Sequence, residues 1–237
     1  MDKQIIDLSG RINNEPISRV YNIDCIEAMK QIPDNYFQLS LVDPPYGIGA
    51  SNDSRFGKFF TVHLNGKKTK YPAKDYKKSE WDNNIPDDLY FSELKRVSKN
   101  QIIWGGNYYN LGKTNCYLVW DKRNGESNNS DCELAWTSFD TAVRMFSYKW
   151  NGMLQQDMKN KEDRIHPTQK PIQLYKWLLK NYAKEGDKII DTHLGSGSSR
   201  IACWDGGFDF VGFELDKEYY DAGVKRFKNH IAQKKLF

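Results

Sequence analysis

The string Asp43-Pro44-Pro45-Tyr46 sets a carboxylate, a stiffened backbone and an aromatic face within four residues. That combination suits chemistry on a ring-bound amino group. Such an amine is a weak nucleophile because its lone pair is delocalised into the ring. Hydrogen-bond acceptors on its protons draw the nitrogen toward tetrahedral geometry and free the lone pair. Asp43 can supply one acceptor and the Pro44 carbonyl a second, while Pro44 and Pro45 hold both in place. Tyr46 offers a surface on which a flat base can stack. The plainer account is an aspartate at a strand end followed by a proline turn, which is common in α/β proteins.

A second string, Asp191-Thr-His-Leu-Gly-Ser-Gly197, lies far along the chain. Gly195 and Gly197 let the backbone approach a ligand closely, and Ser198 then starts a helix whose N-terminus suits a carboxylate. The third glycine of a dinucleotide fingerprint is missing, because Arg200 stands there. No Gly-Lys-Ser/Thr follows, so it is not a phosphate loop either. Glu214 ends the next apolar run, placed to accept hydrogen bonds from two ribose hydroxyls; Asp216 suits the cap of the final helix better.

Both strings follow short apolar runs, Leu39–Val42 and Lys188–Ile190, which read as buried parallel strands. In open α/β sheets, ligands bind at the carboxyl ends of the strands. The expected fold is therefore α/β and Rossmann-like, a mostly parallel sheet with helices on both faces. Further strands are predicted over 19–23, 101–104, 116–120, 141–148 and 208–214. Helices are predicted over 25–32, 86–97 (stripe Leu89, Phe91, Leu94, Val97), 172–184 (stripe Leu174, Trp177, Leu178, Tyr182), 198–205 and from 216 toward 234. Asp24, with Glu27 three residues on, fits a capping box. Residues 47–80 lack periodicity and read as a long loop with a little helix. The polar stretches within 121–165, including the turn Arg123-Asn-Gly125, read as a small target-reading region. The 237 residues are treated as one domain, with 47–82 and 121–165 as insertions for contact with a target.

Composition narrows the class. Apolar residues make up 39% and charged residues 28%, which suits a globular chain rather than a disordered or membrane one. No apolar stretch approaches a membrane span, and the start MDKQIIDLSG lacks a signal-peptide core, so a cytoplasmic location is expected. Cys25, Cys116, Cys132 and Cys203 are scattered without ligand spacing; they are expected to be small, reduced core residues, and no metal site is expected. Net charge is only +4, yet Arg55, Lys58, Lys67, Lys68, Lys70, Lys74, Lys77 and Lys78 stand against the single acid Asp75, with Phe56, Phe59, Phe60, Tyr71 and Tyr76 interleaved. Basic and aromatic residues together suit phosphate contact and base stacking. A solvated lysine-rich loop is the alternative.

Asp24, Asp43–Tyr46, Trp120-Asp-Lys122, His166–Pro171, Asp191–Gly197 and Glu214 make the chain resemble a DNA amino-methyltransferase of the adenine-N6/cytosine-N4 family. It resembles the permuted, β-type order, in which DPPY precedes the S-adenosylmethionine loop. The resemblance implies that Asp191, Gly195, Ser196 and Gly197 line the methionine part of the cofactor and that Glu214 holds the ribose. It implies that Asp24 reaches the adenine amino group, although helix capping explains Asp24 equally well. His166, Thr168 and Lys170 are then expected to flank the methionine carboxylate. Arg55, Lys58, Lys67, Lys68, Lys70 and Arg123 are the expected contacts to double-stranded DNA. Asp at the first DPPY position favours adenine N6 of a flipped-out base; the alternatives are cytosine N4, RNA adenine, or a nucleic-acid-binding protein without turnover. Where the family often has Asp-Pro-Phe this chain has Asp191-Thr192-His193, and His193 is expected to pack near the cofactor rather than act as a base. The stretches free for target recognition are short, which suits a homodimer. A companion restriction endonuclease is the further partner the resemblance suggests.

Overall fold

The computed structural model describes residues 6–11, 15–49, 59–64, 67–72, 82–125, 130–151 and 154–234. Eight strands form the main sheet: β1 (Ser18–Tyr21), β2 (Phe37–Val42), β5 (Ser98–Trp104), β6 (Leu118–Asp121), β7 (Cys132–Thr137), β8 (Arg144–Ser147), β11 (Lys188–Asp191) and β12 (Asp209–Phe213). Their order is β1-β12-β11-β2-β5-β7-β6-β8. The first five run parallel; β7 is antiparallel to β5 and β6, and β8 is parallel to β6. Both faces of the parallel part are covered, which explains the nearly continuous apolar sequence of β2. Leu39, Leu41, Ile102, Ile189 and Phe210 face α3 (Ile172–Tyr182) and α4 (Ser198–Asp205) in one core. Val42, Ile103, Ile190 and Val211 face α1 (Cys25–Met29) and α2 (Asp88–Val97) in the other. The last helix, α5 (Lys217–Lys234), meets α4 through an edge-to-face contact of Phe227 with Trp204. None of the described helices is long and apolar enough to cross a membrane.

The fold is the expected Rossmann-like one, with local differences. Asp24 caps α1, its Oδ1 accepting from the Ile26 and Glu27 amides at 2.9 and 3.1 Å, but the Glu27 carboxylate bonds Lys30 instead of closing a box. On α2 the core stripe includes Tyr90, whereas Leu89 is exposed. Tyr175 and Leu179 join Leu174 and Leu178 in the buried stripe of α3. Within 47–80, Phe59–Leu64 (β3) and Lys67–Pro72 (β4) form an antiparallel hairpin where loop was expected, while 50–58, 65–66 and 73–80 lie outside the described residues; the Thr and aromatic content of the hairpin suits strands, and the interspersed lysines hid it. Two strands of the main sheet, β7 and β8, come from the stretch expected to serve target reading. In β7 the sequence CELAWT was masked by its polar flanks. A short ribbon of β9 (Trp150–Asn151) and β10 (Leu154–Gln155) follows. Cys116 and Cys203 are buried, Cys25 is half-buried, and Cys132 is exposed rather than part of the core.

Candidate active site

Strands β2 and β11 are parallel neighbours, with Ile189 beside Leu39 and Ile190 beside Ser40. Their carboxyl ends therefore deliver Asp43 and Asp191 to the same edge of the sheet. Glu214 follows β12, the next strand along, and Asp24 follows β1 beyond it. Residues separated by nearly the whole sequence thus meet because one strand lies beside another.

Asp43 is held on both oxygens. The Tyr46 hydroxyl donates to Oδ1 at 2.7 Å, and Lys170 Nζ reaches Oδ2 at 2.5 Å. Lys170 also bonds Glu133 Oε2 at 2.9 Å and Tyr46 Oη at 3.1 Å, and Lys122 pairs with the other oxygen of Glu133. Two carboxylates and two ammonium groups so form one closed network. Glu133 lies within β7 and Lys122 just beyond β6, so the antiparallel part of the sheet contributes directly to the site. Burial opposes charge on Glu133, but Lys170 and Lys122 overcome it and draw its pKa down to about 2. Burial raises the Asp43 carboxyl above its ordinary range, with Lys170 working against that rise and Glu133 adding to it.

The backbone of the Asp43–Tyr46 loop is fixed from two sides. One hydroxyl proton of Tyr109 is shared between the carbonyls of Pro44 and Pro45, at 2.8 and 2.9 Å. Asp82 Oδ1 accepts from the Tyr46 and Gly47 amides at 2.7 and 3.2 Å. The Tyr46 ring stacks on Tyr108, with centroids 4.9 Å apart and planes 18° apart. Gly105, immediately after β5, makes room for that ring: its φ is +71°, and a Cβ there would lie 2.3 Å from Tyr46 Cε1.

On the other side of the edge, Asp191 accepts from the His193 amide at 3.0 Å and from the Ser199 hydroxyl at 2.5 Å. Burial nevertheless raises its pKa to about 7. Gly195 and Gly197 take φ of +50° and +70°, so the turn itself requires glycine at both. Glu214 accepts from the Gly195 amide at 2.7 Å and the Asp216 amide at 2.9 Å, fastening the loop to the end of β12. The Ser196 carbonyl accepts from Arg226 of α5, whose guanidinium also bonds Glu162 Oε2 at 2.7 Å. Ser196 Oγ lies 3.1 Å from Ser198 Oγ. His193 contacts Thr192 and the Tyr90 ring, and burial lowers its pKa to about 4. Burial therefore keeps this ring neutral at neutral pH, packed against Tyr90.

Of the His166–Pro171 segment, His166 is buried edge-on against Tyr219, with Nδ1 3.1 Å from Thr168 Oγ1; its ring lies 3.7 Å from where a Cβ of Gly195 would be. Burial, then the Lys170 and Arg164 charges, lower its pKa to about 3. The Lys170 ammonium bonds Asp43 and Glu133. Among the expected DNA contacts, Arg55 and Lys58 lie outside the described residues, and Lys67, Lys68 and Lys70 lie in β4. Arg123 is exposed in a turn, with its amide on Asp121 Oδ1. Glu133, Tyr108, Tyr109, Asp82 and Arg226 were missed. Only Glu133 carried a signal: a lone acid in the otherwise largely apolar stretch Cys132–Thr137.

The model of the N6/N4 family described as DNA methylase matches residues 57–225. The chain belongs to this family of DNA amino-methyltransferases. This methylase is 24% identical over 261 residues to the type II methyltransferase M.HinfI of Haemophilus influenzae, covering 91% of this chain and 69% of the relative. Among solved structures it resembles the PvuII DNA methyltransferase, titled cytosine-N4-specific, with a TM-score of 0.57, 13% identity, and coverage of 90% of this chain and 88% of the other. The complex of M1.HpyAVI with SAM matches with a TM-score of 0.52, 18% identity, and coverage of 88% and 98%. At such identities these two structures speak to the fold.

Proposed function

We propose that this methylase transfers a methyl group from S-adenosylmethionine to the exocyclic N6 of an adenine swung out of double-stranded DNA. The observation that carries the reading is the junction of β2 and β11, which sets Asp43–Tyr46 beside the Asp191–Gly197 loop. S-adenosylmethionine, when bound, supplies a methyl group made electrophilic by its cationic sulfur. The residues at the edge fit it. Asp24 uses only Oδ1 for its cap, leaving Oδ2 to accept from an adenine amino group. Glu214 retains acceptor capacity on both oxygens for ribose hydroxyls, and Gly195 and Gly197 bring backbone rather than side chains to the ligand. Asp191, Ser196, His166 and Thr168 complete that side.

On the acceptor side, Asp43 takes one proton of the target amine in hydrogen bond and the Pro44 carbonyl takes the other, through the lone pair that Tyr109 leaves. The amine is pyramidalised and aimed by fixed groups, so orientation and preorganised acceptors lower the barrier. Tyr46 and Tyr108 provide aromatic surface for the extruded base. Asp at position 43 supports adenine over cytosine, and the lysines of β4 with Arg123 suit the DNA backbone. A second copy of the chain and a companion endonuclease remain part of the same reading.

The test is modification-detecting sequencing of DNA incubated with the protein and S-adenosylmethionine, beside Asp43→Ala. N6-methyladenine in a defined motif, absent from the variant, is the expected result. N4-methylcytosine would overturn the choice of base, and transfer to RNA alone would overturn the choice of polymer.

A further inference from the structure

Lys170 stands out because its ammonium is buried instead of forming a surface ion pair. Its side chain is 2% exposed, and each of its three N–H donors has a partner: Asp43 Oδ2, Glu133 Oε2 and Tyr46 Oη. The rings of Trp104 and Tyr46 each lie 5.5 Å from Nζ. Glu133, itself shared with Lys122, anchors the ammonium from β7. A buried lysine without such partners would lose its proton; here Asp43 and Glu133 overcome burial and raise its pKa. A buried Asp43 without Lys170 would in turn hold a proton, and a protonated carboxyl offers the amine a weaker acceptor.

We propose that Lys170 is a positioning residue for amino-methylation: anchored on Glu133, it holds Asp43 as a carboxylate and yields Oδ2 to the incoming amine while keeping its grip on Glu133. The inference rests on Asp43 being the amine acceptor. The segment before α3 thereby couples to the acceptor site. The groups that face Asp43 are Lys170, Glu133 of β7 with Lys122 behind it, Tyr46 of its own loop, Tyr109 after β5, Tyr175 of α3 and Asp191 of β11. The tyrosines are neutral, since burial raises all three. Among the described residues Lys170 is therefore the cation in direct contact with Asp43, and Glu133 is an anion that opposes the Asp43 charge.

Two substitutions should act in opposite directions. Lys170→Met removes the favourable charge, and Glu133→Gln removes the unfavourable one. Asp43 titration is followed by difference infrared spectroscopy without DNA, its band assigned by loss in Asp43→Asn, and the pH profile of methyl transfer is measured on the same proteins. Lys170→Met should move the carboxyl titration and the acid limb of kcat/KM upward by about 1–3 pH units, and Glu133→Gln should move both downward. Lys170→Arg should restore the wild-type profile. If Lys170→Met fails to fold, Glu133→Gln and the Lys170→Met/Glu133→Gln pair read the same coupling. Titrations that coincide with wild type in both variants would overturn the proposal. Carboxyl titrations that move as expected in a wild-type background that methylates no nucleic acid would support the coupling and overturn the reading of Asp43 as amine acceptor.

Discussion

Two aspartates at neighbouring strand ends are buried for different purposes. Asp43 is buried with a cation, Lys170, in direct contact, and Asp43→Ala should abolish transfer while calorimetric binding of S-adenosylmethionine persists; retained turnover would remove Asp43 from its role. Among the described residues Asp191 has no salt-bridge partner, and burial lifts its pKa to about 7 from an ordinary value of 3.8. The folded state then binds more protons than the unfolded state between those values, so stability falls as pH rises from about 4 to about 7 and levels off above. A shift of that size corresponds to on the order of 4 kcal/mol. Asp191→Asn, which keeps the shape and removes the charge, should be more stable than wild type at pH 8 and should lose most of that advantage at pH 4. Denaturant midpoints across pH measure this, and parallel curves for the two proteins would show that Asp191 does not titrate in the window. The type and spacing of both aspartates were legible in sequence. Their ionisation was not, because burial and partners come from strands and loops distant in the chain.

At the level of elements, the Asp191–Gly197 loop is held by more than its own strand and helix. Arg226 of α5 donates to the Ser196 carbonyl and Ser198 hydroxyl, and its other arm pairs with Glu162, whose Oε1 accepts the first amide of α3 at 3.0 Å. One guanidinium thus ties the loop to α5, α3 and the polar stretch 151–165. Arg226→Ala leaves Glu162 buried without its counter-charge, which costs about 3 kcal/mol or more. We expect a lowered denaturant midpoint together with weaker cofactor binding; an unchanged affinity at reduced stability would show that the tie serves the fold and not the loop. Periodicity locates α3 well, because it buries a continuous apolar stripe of Leu174, Tyr175, Leu178 and Leu179. It marks 151–165 as merely polar, since a charged residue that ties two elements looks like a solvated one until its partner is known. The same reason hides β7, in which Glu133 interrupts a largely apolar stretch to meet two lysines.

Across the whole molecule, charge is unevenly distributed. The net charge is +4, but the charged residues from Arg55 to Lys78 are eight bases against the single acid Asp75, and the described part of that run is the β3–β4 hairpin rather than a featureless loop. Replacing Lys67, Lys68 and Lys70 together by Ala should weaken DNA binding at all sequences alike. It should also reduce the slope of log affinity against log salt by about 0.9 for each phosphate that a lysine no longer neutralises. Fluorescence anisotropy at several salt concentrations measures it, and an unchanged slope would move the DNA-contacting surface elsewhere, Arg123 and its turn being the first place to look.

The sequence by itself determined the two reactive strings, the strands that end in them, the Rossmann-like class and the family. These are local properties: apolar runs, glycines at forced turns and prolines beside an acid persist whatever the rest of the chain does. The tertiary structure decided which groups those strings meet. Lys170 meets Asp43; Glu133 and Lys122 close the network, and Tyr109 and Asp82 fix the DPPY backbone. Those pairings follow from parallel alignment of β2 with β11 and antiparallel insertion of β7 beside β5, and strand adjacency is set by packing of the whole sheet, where sequence distance carries no information.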